Sequence, residues 1–409
     1  MISTRQLLRL IVVLSLFCQP VVAADWPQWR GPDQDGHSQE SGLPVRWSAD
    51  SVEWKTDLPG EGQASPIVVG GRIFLTSALD GGSQRLAMAV NRQDGKILWK
   101  HVVWTGEPEP SHKMNGWASA TCASDGERVY AFFGRGGGLV CFTLQGDHVW
   151  TKDLGHFDSP WGTAACPLVV DNLVIQNCDS DKGAYLTALD KSTGEEVWRV
   201  TREDHRGWST PVLIEFDGQG QIVLNGHTGL RAYVAETGEE LWYCKSFSGR
   251  GSPTVTPADG LLHVVSGLRG DTFAVRPGGQ GDVTDTHMAW HSPRKTGRDL
   301  PSPIVIDGRM LVMSMRGGIL TCYAAADGAE LWRERVGENF AASPVAYNGL
   351  GLFISESGQT VVVDPDKKIV GQNSLGADDD EIFRASITPS DGRLYIRSNT
   401  ALYAVSGAD

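Results

Sequence analysis

Tryptophan returns along this chain with a rhythm that few folds can accommodate. Trp54, Trp99, Trp150, Trp198, Trp242, Trp290 and Trp332 are separated by 45, 51, 48, 44, 48 and 42 residues. Five segments also place a glycine four residues ahead of the tryptophan: Gly95/Trp99, Gly146/Trp150, Gly194/Trp198, Gly238/Trp242 and Gly328/Trp332. Self-similarity at a period of about 40–50 residues marks a repeat architecture, in which each unit buries its faces only against its neighbours.

Within each period the same local grammar recurs. A Ser/Thr-Pro-like start leads an alternating apolar strand, as at Ser65-Pro66. A tight turn such as Gly70-Gly71 or Asp307-Gly308 and two further strands follow, and a Thr-Gly or Asp-Gly turn then leads into the tryptophan strand. Four short strands per period is the signature of a propeller blade. First strands open near Ser65, Ser119, Thr163, Thr210, Ser252, Ser302 and Ser343, giving seven complete units. An eighth start at Ser386 has three strands, and the fourth is supplied by Val52 to Asp57, a tryptophan strand with none of its own before it. The expected fold is all-β: an eight-bladed β-propeller of four-stranded antiparallel blades over 52–409, closed where the N-terminal strand joins the C-terminal blade. Two repeats deviate, with an insertion from Gly278 to Thr286 in blade five and Gly371 at the tryptophan position of blade seven.

The first residues follow another pattern. Arg5 and Arg9 flank the start of an apolar run from Leu10 to Phe17, and Val21-Val22-Ala23 offers a small-residue cleavage site. This layout is that of a secretory signal peptide over 1–23, cut near Ala23 and followed by an extension over 24–51. The run is shorter than the ~20 residues that span a bilayer, so no membrane span is expected and the protein is read as exported, periplasmic or extracellular, and monomeric. Losing the leader takes the formal charge from −13 to −15. Such a surface repels phosphate backbones and excludes general nucleic-acid binding. Six cysteines remain, with no C-x-x-C and no vicinal pair. Buried free thiols are expected, the alternative being a Cys166–Cys178 bridge across one hairpin.

The repeated Asp-x-x-Thr-Gly-Glu-x-x-Trp pattern over 52–409 resembles the PQQ-like repeat propellers. That group includes quinoprotein alcohol and glucose dehydrogenases and the propeller lipoprotein of the outer-membrane barrel-assembly machinery. Trp26-Pro-Gln-Trp29-Arg30-Gly31-Pro32, with Asp35-Gly36, is similar to the opening of many bacterial secreted propellers of this group. The resemblance implies a propeller fold, and it implies PQQ and calcium as cofactors if the chain is an enzyme. The dehydrogenases' vicinal cysteine pair is absent, as is the lipoprotein's lipobox around Cys18.

No G-x-S-x-G, H-E-x-x-H or P-loop motif is present. Asp179-Ser-Asp181 and Asp378 to Glu381 supply oxygen ligands of the calcium type, although acidic propeller loops are ordinarily just solvated. The informative loops are those entering each first strand, which crowd one mouth of the central channel. Two residues ahead of the Ser/Thr starts stand Gln63, Trp117, Trp161, Trp208, Arg250, Leu300, Ala341 and Arg384, so that three consecutive blades present tryptophan at one repeat position. His112, Asn115, His205 and Asn339 lie nearby in sequence. Trp117, Trp161, Trp208, Arg250, Arg384, His205 and Asn339 are therefore the candidate ligand-binding residues. Aromatics beside convergent polar groups suit a planar or sugar-like ligand, anionic where an arginine meets it. The opposing reading is that these tryptophans merely cap the channel by packing. The expected function is a binding or scaffold module taking a protein partner or small ligand at this mouth; the alternative is a PQQ-dependent dehydrogenase of alcohols or sugars.

Overall fold

A computed structural model describes residues 25–245, 249–267, 270–293 and 299–407, so the leader over 1–23 lies outside the described residues. Eight antiparallel sheets follow one another around a central channel. Blade one runs through Ile67–Val69, Arg72–Leu79, Gln84–Asn91 and Ile97–Thr105, from the channel outward. The eighth sheet joins Thr388–Ser390, Arg393–Arg397 and Ala401–Val405 to Val52–Asp57, with Val52 opposite Val405 and Asp57 opposite Ala401. The ring is thus closed by strands from both ends of the chain, as the orphan tryptophan strand implied.

The glycine–tryptophan repeat is an inter-blade contact. Gly146 of blade two turns at φ +99° directly on the ring of Trp99 of blade one, where an added Cβ would lie 2.7 Å from the indole. Only glycine combines that backbone with that approach. Gly95, Gly194, Gly238 and Gly328 sit in the same way on Trp54, Trp150, Trp198 and Trp290 of the preceding blades. The indole N–H groups complete the joint. Trp99 donates to the Leu144 carbonyl at 3.1 Å, Trp150 to Lys191 at 3.1 Å, Trp198 to Ala235 at 3.2 Å and Trp290 to Ala325 at 2.8 Å. These four rings are therefore wedged between two sheets with their one polar atom satisfied, whereas the Trp54 indole N–H, at the closing blade, has no such partner among the described residues. The insertion of blade five has its own use: Gly281–Asp282 adds a parallel strand to the outer edge of blade four at Trp242 and Tyr243.

A second ring lies at the channel wall. The Ser65 N–H donates to Thr121 Oγ1 (2.8 Å), Thr121 to Cys166 Sγ (3.2 Å) and Cys166 to Thr210 Oγ1 (3.1 Å). Thr210 donates to Thr254 Oγ1 (3.0 Å), Thr254 to Ser302 Oγ (2.9 Å), Ser302 to Ser343 Oγ (2.9 Å) and Ser386 to Ser65 Oγ (2.9 Å). Blade is clasped to blade by one backbone donor and one side-chain acceptor at each of these junctions. This register corrects the starts read at Ser119, Thr163 and Ser252. The equivalent residues are Thr121, Cys166 and Thr254, which displace the positions counted back from them.

All six described cysteines are free and buried, so no Cys166–Cys178 bridge forms. Cys166 instead faces the neighbouring blade, taking the ring position that a hydroxyl holds elsewhere. No helix among the described residues is long and apolar enough to cross a membrane.

Candidate functional site

The extension ahead of the first strand turns the channel into a cup. Trp26 exchanges backbone bonds with Val68 of blade one, and the Pro27 carbonyl accepts from Ser124 N–H of blade two at 2.9 Å. Gln34 Oε1 accepts from Leu213 N–H of blade four at 3.0 Å. The Arg30 guanidinium donates to Thr256 Oγ1 of blade five (3.2 Å) and the Pro303 carbonyl of blade six (3.0 Å). His37–Ser38 then pairs in parallel with Ala346–Tyr347 of blade seven, and Glu40 accepts from Asp391 and Gly392 N–H groups of blade eight. One short segment therefore bridges seven blades at the end of the channel away from the mouth. Gly31, at φ +82°, permits it by turning on the face of Trp26. Arg30 is 2% exposed, and burial pushes its guanidinium down to about 10.

Above this plug lies a cavity of about 230 Å³ whose floor includes Trp29. Of the candidate residues, Trp161, Trp208, Arg250 and Arg384 line it, together with His112, Asn115 and the ring residues Ser65, Thr121, Cys166, Thr210, Ser302, Ser343 and Ser386. The Arg250 guanidinium stands 5.2 Å from the centroid of Trp161, and the His112 ring lies 4.3 Å from it on a tilt of 38°. Asn115 Nδ2 donates to the Trp161 carbonyl at 2.7 Å and fixes the loop. The Trp208 indole donates to the Gly162 carbonyl at 2.8 Å, leaving its ring rather than its N–H for a ligand. Arg384 is held by Glu356 at 2.5 Å and by the Lys113 carbonyl at 3.0 Å. Trp161 and Trp208 are half-buried.

The other candidates stand elsewhere. Trp117 lines an adjacent cavity of about 530 Å³. Its indole donates to the Glu109 carbonyl at 2.8 Å, and the buried Arg85 lies 5.8 Å from its ring. His205 stacks on His227 with centroids 3.6 Å apart, outside the cup. Asn339 is exposed and accepts from Gly317 N–H at 3.2 Å. The three tryptophans do not share one repeat position. Trp208 stands two residues before its ring residue, whereas Trp117 and Trp161 stand four and five before theirs. Trp29, Met114, Met315 and Cys166 also line the cup and were not among the candidate ligand-binding residues. For Cys166 the signal was present, because Pro167 follows it as Pro66 follows Ser65.

The acidic segments bind cations of the chain itself. Asp179 pairs with Arg202 at 2.6 Å and Asp181 with Arg206 at 3.0 Å, while Lys55 meets Asp378 at 3.1 Å and Glu381 at 2.8 Å. Among the described residues no group of three or more His, Cys, Asp or Glu side chains is arranged to hold a metal. Among the described residues the cup's lining contains no carboxylate. Calcium takes six to eight oxygen ligands with carboxylates prominent among them, so these residues do not fit a calcium–quinone pair.

A family model described as outer membrane protein assembly factor BamB matches residues 39–172, 83–259 and 279–373. Among curated proteins, a quinohemoprotein alcohol dehydrogenase of Pseudomonas putida is 29% identical over 166 residues, covering 38% of this chain and 21% of that one. A tetrathionate hydrolase of Acidithiobacillus ferrooxidans is 24% identical over 301 residues, 69% of this chain and 56% of that one. The matches thus span about a fifth of the first relative's length and little more than half of the second's. Among solved structures, BamB from Moraxella catarrhalis aligns with TM-score 0.61 at 16% identity, over 87% of this chain and 99% of that one. The quinohemoprotein alcohol dehydrogenase from Comamonas testosteroni aligns with TM-score 0.68 at 13% identity, over 94% of this chain and 81% of that one. At these identities the structural likeness establishes the propeller fold.

Proposed function

The chain belongs to the BamB family of PQQ-like propellers, and from that premise we propose that it is an exported binding module which holds a small ligand in the cup at one mouth of its channel. The observation that carries this reading is the plug. The segment that carries Trp29 and Arg30 ties seven blades together across the far end, Trp29 lines the cavity there, and half-buried Trp161 and Trp208 line its wall with Arg250 and Arg384. Concave, partly aromatic pockets with a few placed polar groups are where small molecules bind. A protein partner at the same mouth, in the manner of an assembly factor, would meet the rim loops rather than the cup. A quinone-dependent dehydrogenase is disfavoured by the missing carboxylates, although arginine and tryptophan stand where a planar anion would need them.

Purification of the mature protein from its native host, followed by native mass spectrometry, tests this reading. A co-purified small molecule, lost in Arg250→Gln, is the expected result. A ligand retained in both Arg250→Gln and Trp161→Ala would place binding elsewhere. Export is checked on the same sample, whose intact mass should correspond to a chain beginning at Ala24 or Asp25.

A further inference from the structure

The ring at the channel wall carries information about the ligand that the tryptophans do not. A hydroxyl has one proton to donate and two lone pairs to accept with. Ser65, Thr121, Thr210, Ser302 and Ser343 each accept an N–H from the adjacent blade. All five are more than nine-tenths buried, and all five line the cup. One lone pair of each is engaged in holding the blades together, and the proton, with the second lone pair, remains for whatever occupies the cavity. Buried donors of this kind call for acceptors. The rim adds the Arg250 guanidinium, whereas that of Arg384 is already paired with Glu356, and among the described residues the lining offers no carboxylate, although the chain as a whole carries a formal charge of −13.

Building on the cup reading, we propose that the ligand is a small polyhydroxylated carboxylate of the uronic acid class. The carboxylate would face Arg250, where charge-assisted hydrogen bonds are strongest, and the ring oxygens and hydroxyls would take the wall's O–H groups. An aromatic acid presents acceptors at one end only, whereas these donors come from different blades and converge from several sides. A cavity of about 230 Å³ is smaller than the ~300–1,000 Å³ of drug-sized pockets. It suits a single sugar unit better than a chain of them. Cys166 is the one ring member whose S–H donates weakly, so the ring is incomplete at that point.

Calorimetric titration of the mature protein with glucuronate and with glucose tests the assignment. Glucuronate should bind at least about tenfold more tightly than glucose, which is the order expected from one charge-assisted hydrogen bond, and its affinity should fall as salt is added. Arg250→Gln should weaken it about tenfold or more. Cys166→Ser keeps the acceptor for Thr121 N–H and adds a stronger donor, so it should bind glucuronate several-fold more tightly than the parent protein. Equal binding of glucose and glucuronate would overturn the charge assignment while leaving the cup reading standing. Failure of both sugars to bind, or unchanged or weakened affinity in Cys166→Ser, would overturn the proposal. Binding untouched by both Arg250→Gln and Trp161→Ala would refute the cup reading as well.

Discussion

Truncating Trp198 to alanine should cost far more stability than truncating Trp161, and the structure sets the size of the difference. Trp198 is 8% exposed and packs with Leu168, Val170, Ile175, Leu186, Ile222 and Leu224 between blades three and four. Its indole donates to Ala235 at 3.2 Å, and Gly238 lies against its face. Removing a core tryptophan costs about 3–5 kcal/mol through lost transfer energy and the cavity left behind. The stranded Ala235 carbonyl adds on the order of 1 kcal/mol. Trp161 is half-buried on the wall of the cup and belongs to no described hydrophobic cluster, so its truncation should cost about 1 kcal/mol or less. Chemical denaturation of both variants, followed by circular dichroism, measures the difference. Equal and large losses would mean that the mouth tryptophans are core, and the site would have to be sought elsewhere.

Three further outcomes follow from particular contacts. His263 is fully buried, and burial pushes its imidazole from 6.5 down to about 4. The folded state therefore favours the neutral ring, and this stability is complete above about pH 6.5 and falls by up to about 3 kcal/mol as pH drops towards 4; His263→Phe should flatten that part of a stability–pH curve, and an unchanged slope would refute the assignment. Deleting 24–57 removes both the plug and the closing strand and should give an aggregating protein, whereas deleting 24–40 should leave the ring closed and open the cup at both ends; a monomeric 24–57 deletion with the parent melting temperature would refute the closure. Reconstitution with PQQ and calcium should yield no dye-linked oxidation of alcohols or aldoses, and robust turnover would restore the dehydrogenase reading.

Much of this architecture could be read from residue order because its joints repeat. The tryptophan needs a glycine turn beneath it in the next blade, so packing leaves a mark at a fixed spacing, and the orphan Val52–Asp57 strand announced the closure. The site was less legible for two physical reasons. Several blades carry two small polar residues near the start of the first strand, as in Ser119/Thr121 and Ser252/Thr254, and only the one clasping the next blade sets the register. That displacement brought Trp117 into apparent alignment with Trp208. The plug was invisible for the opposite reason: residues 25–40 make single, unrepeated contacts with seven blades, and no periodicity reports such a path. Asn339 and His205 were near the mouth in sequence, but local bonds turn them to other partners.

The central claim is that the plugged cup at the mouth is where this protein binds. Fluorine NMR of the mature protein labelled with 5-fluorotryptophan tests it most directly, because the chain's 14 tryptophans sample both cup and blade joints. On titration with glucuronate, or with the small molecule recovered from the native protein, the resonances assigned by substitution to Trp29, Trp161 and Trp208 should move. Those of Trp99, Trp150, Trp198 and Trp290 should stay. Shifts confined to the blade tryptophans, with the three cup residues silent, would contradict the account.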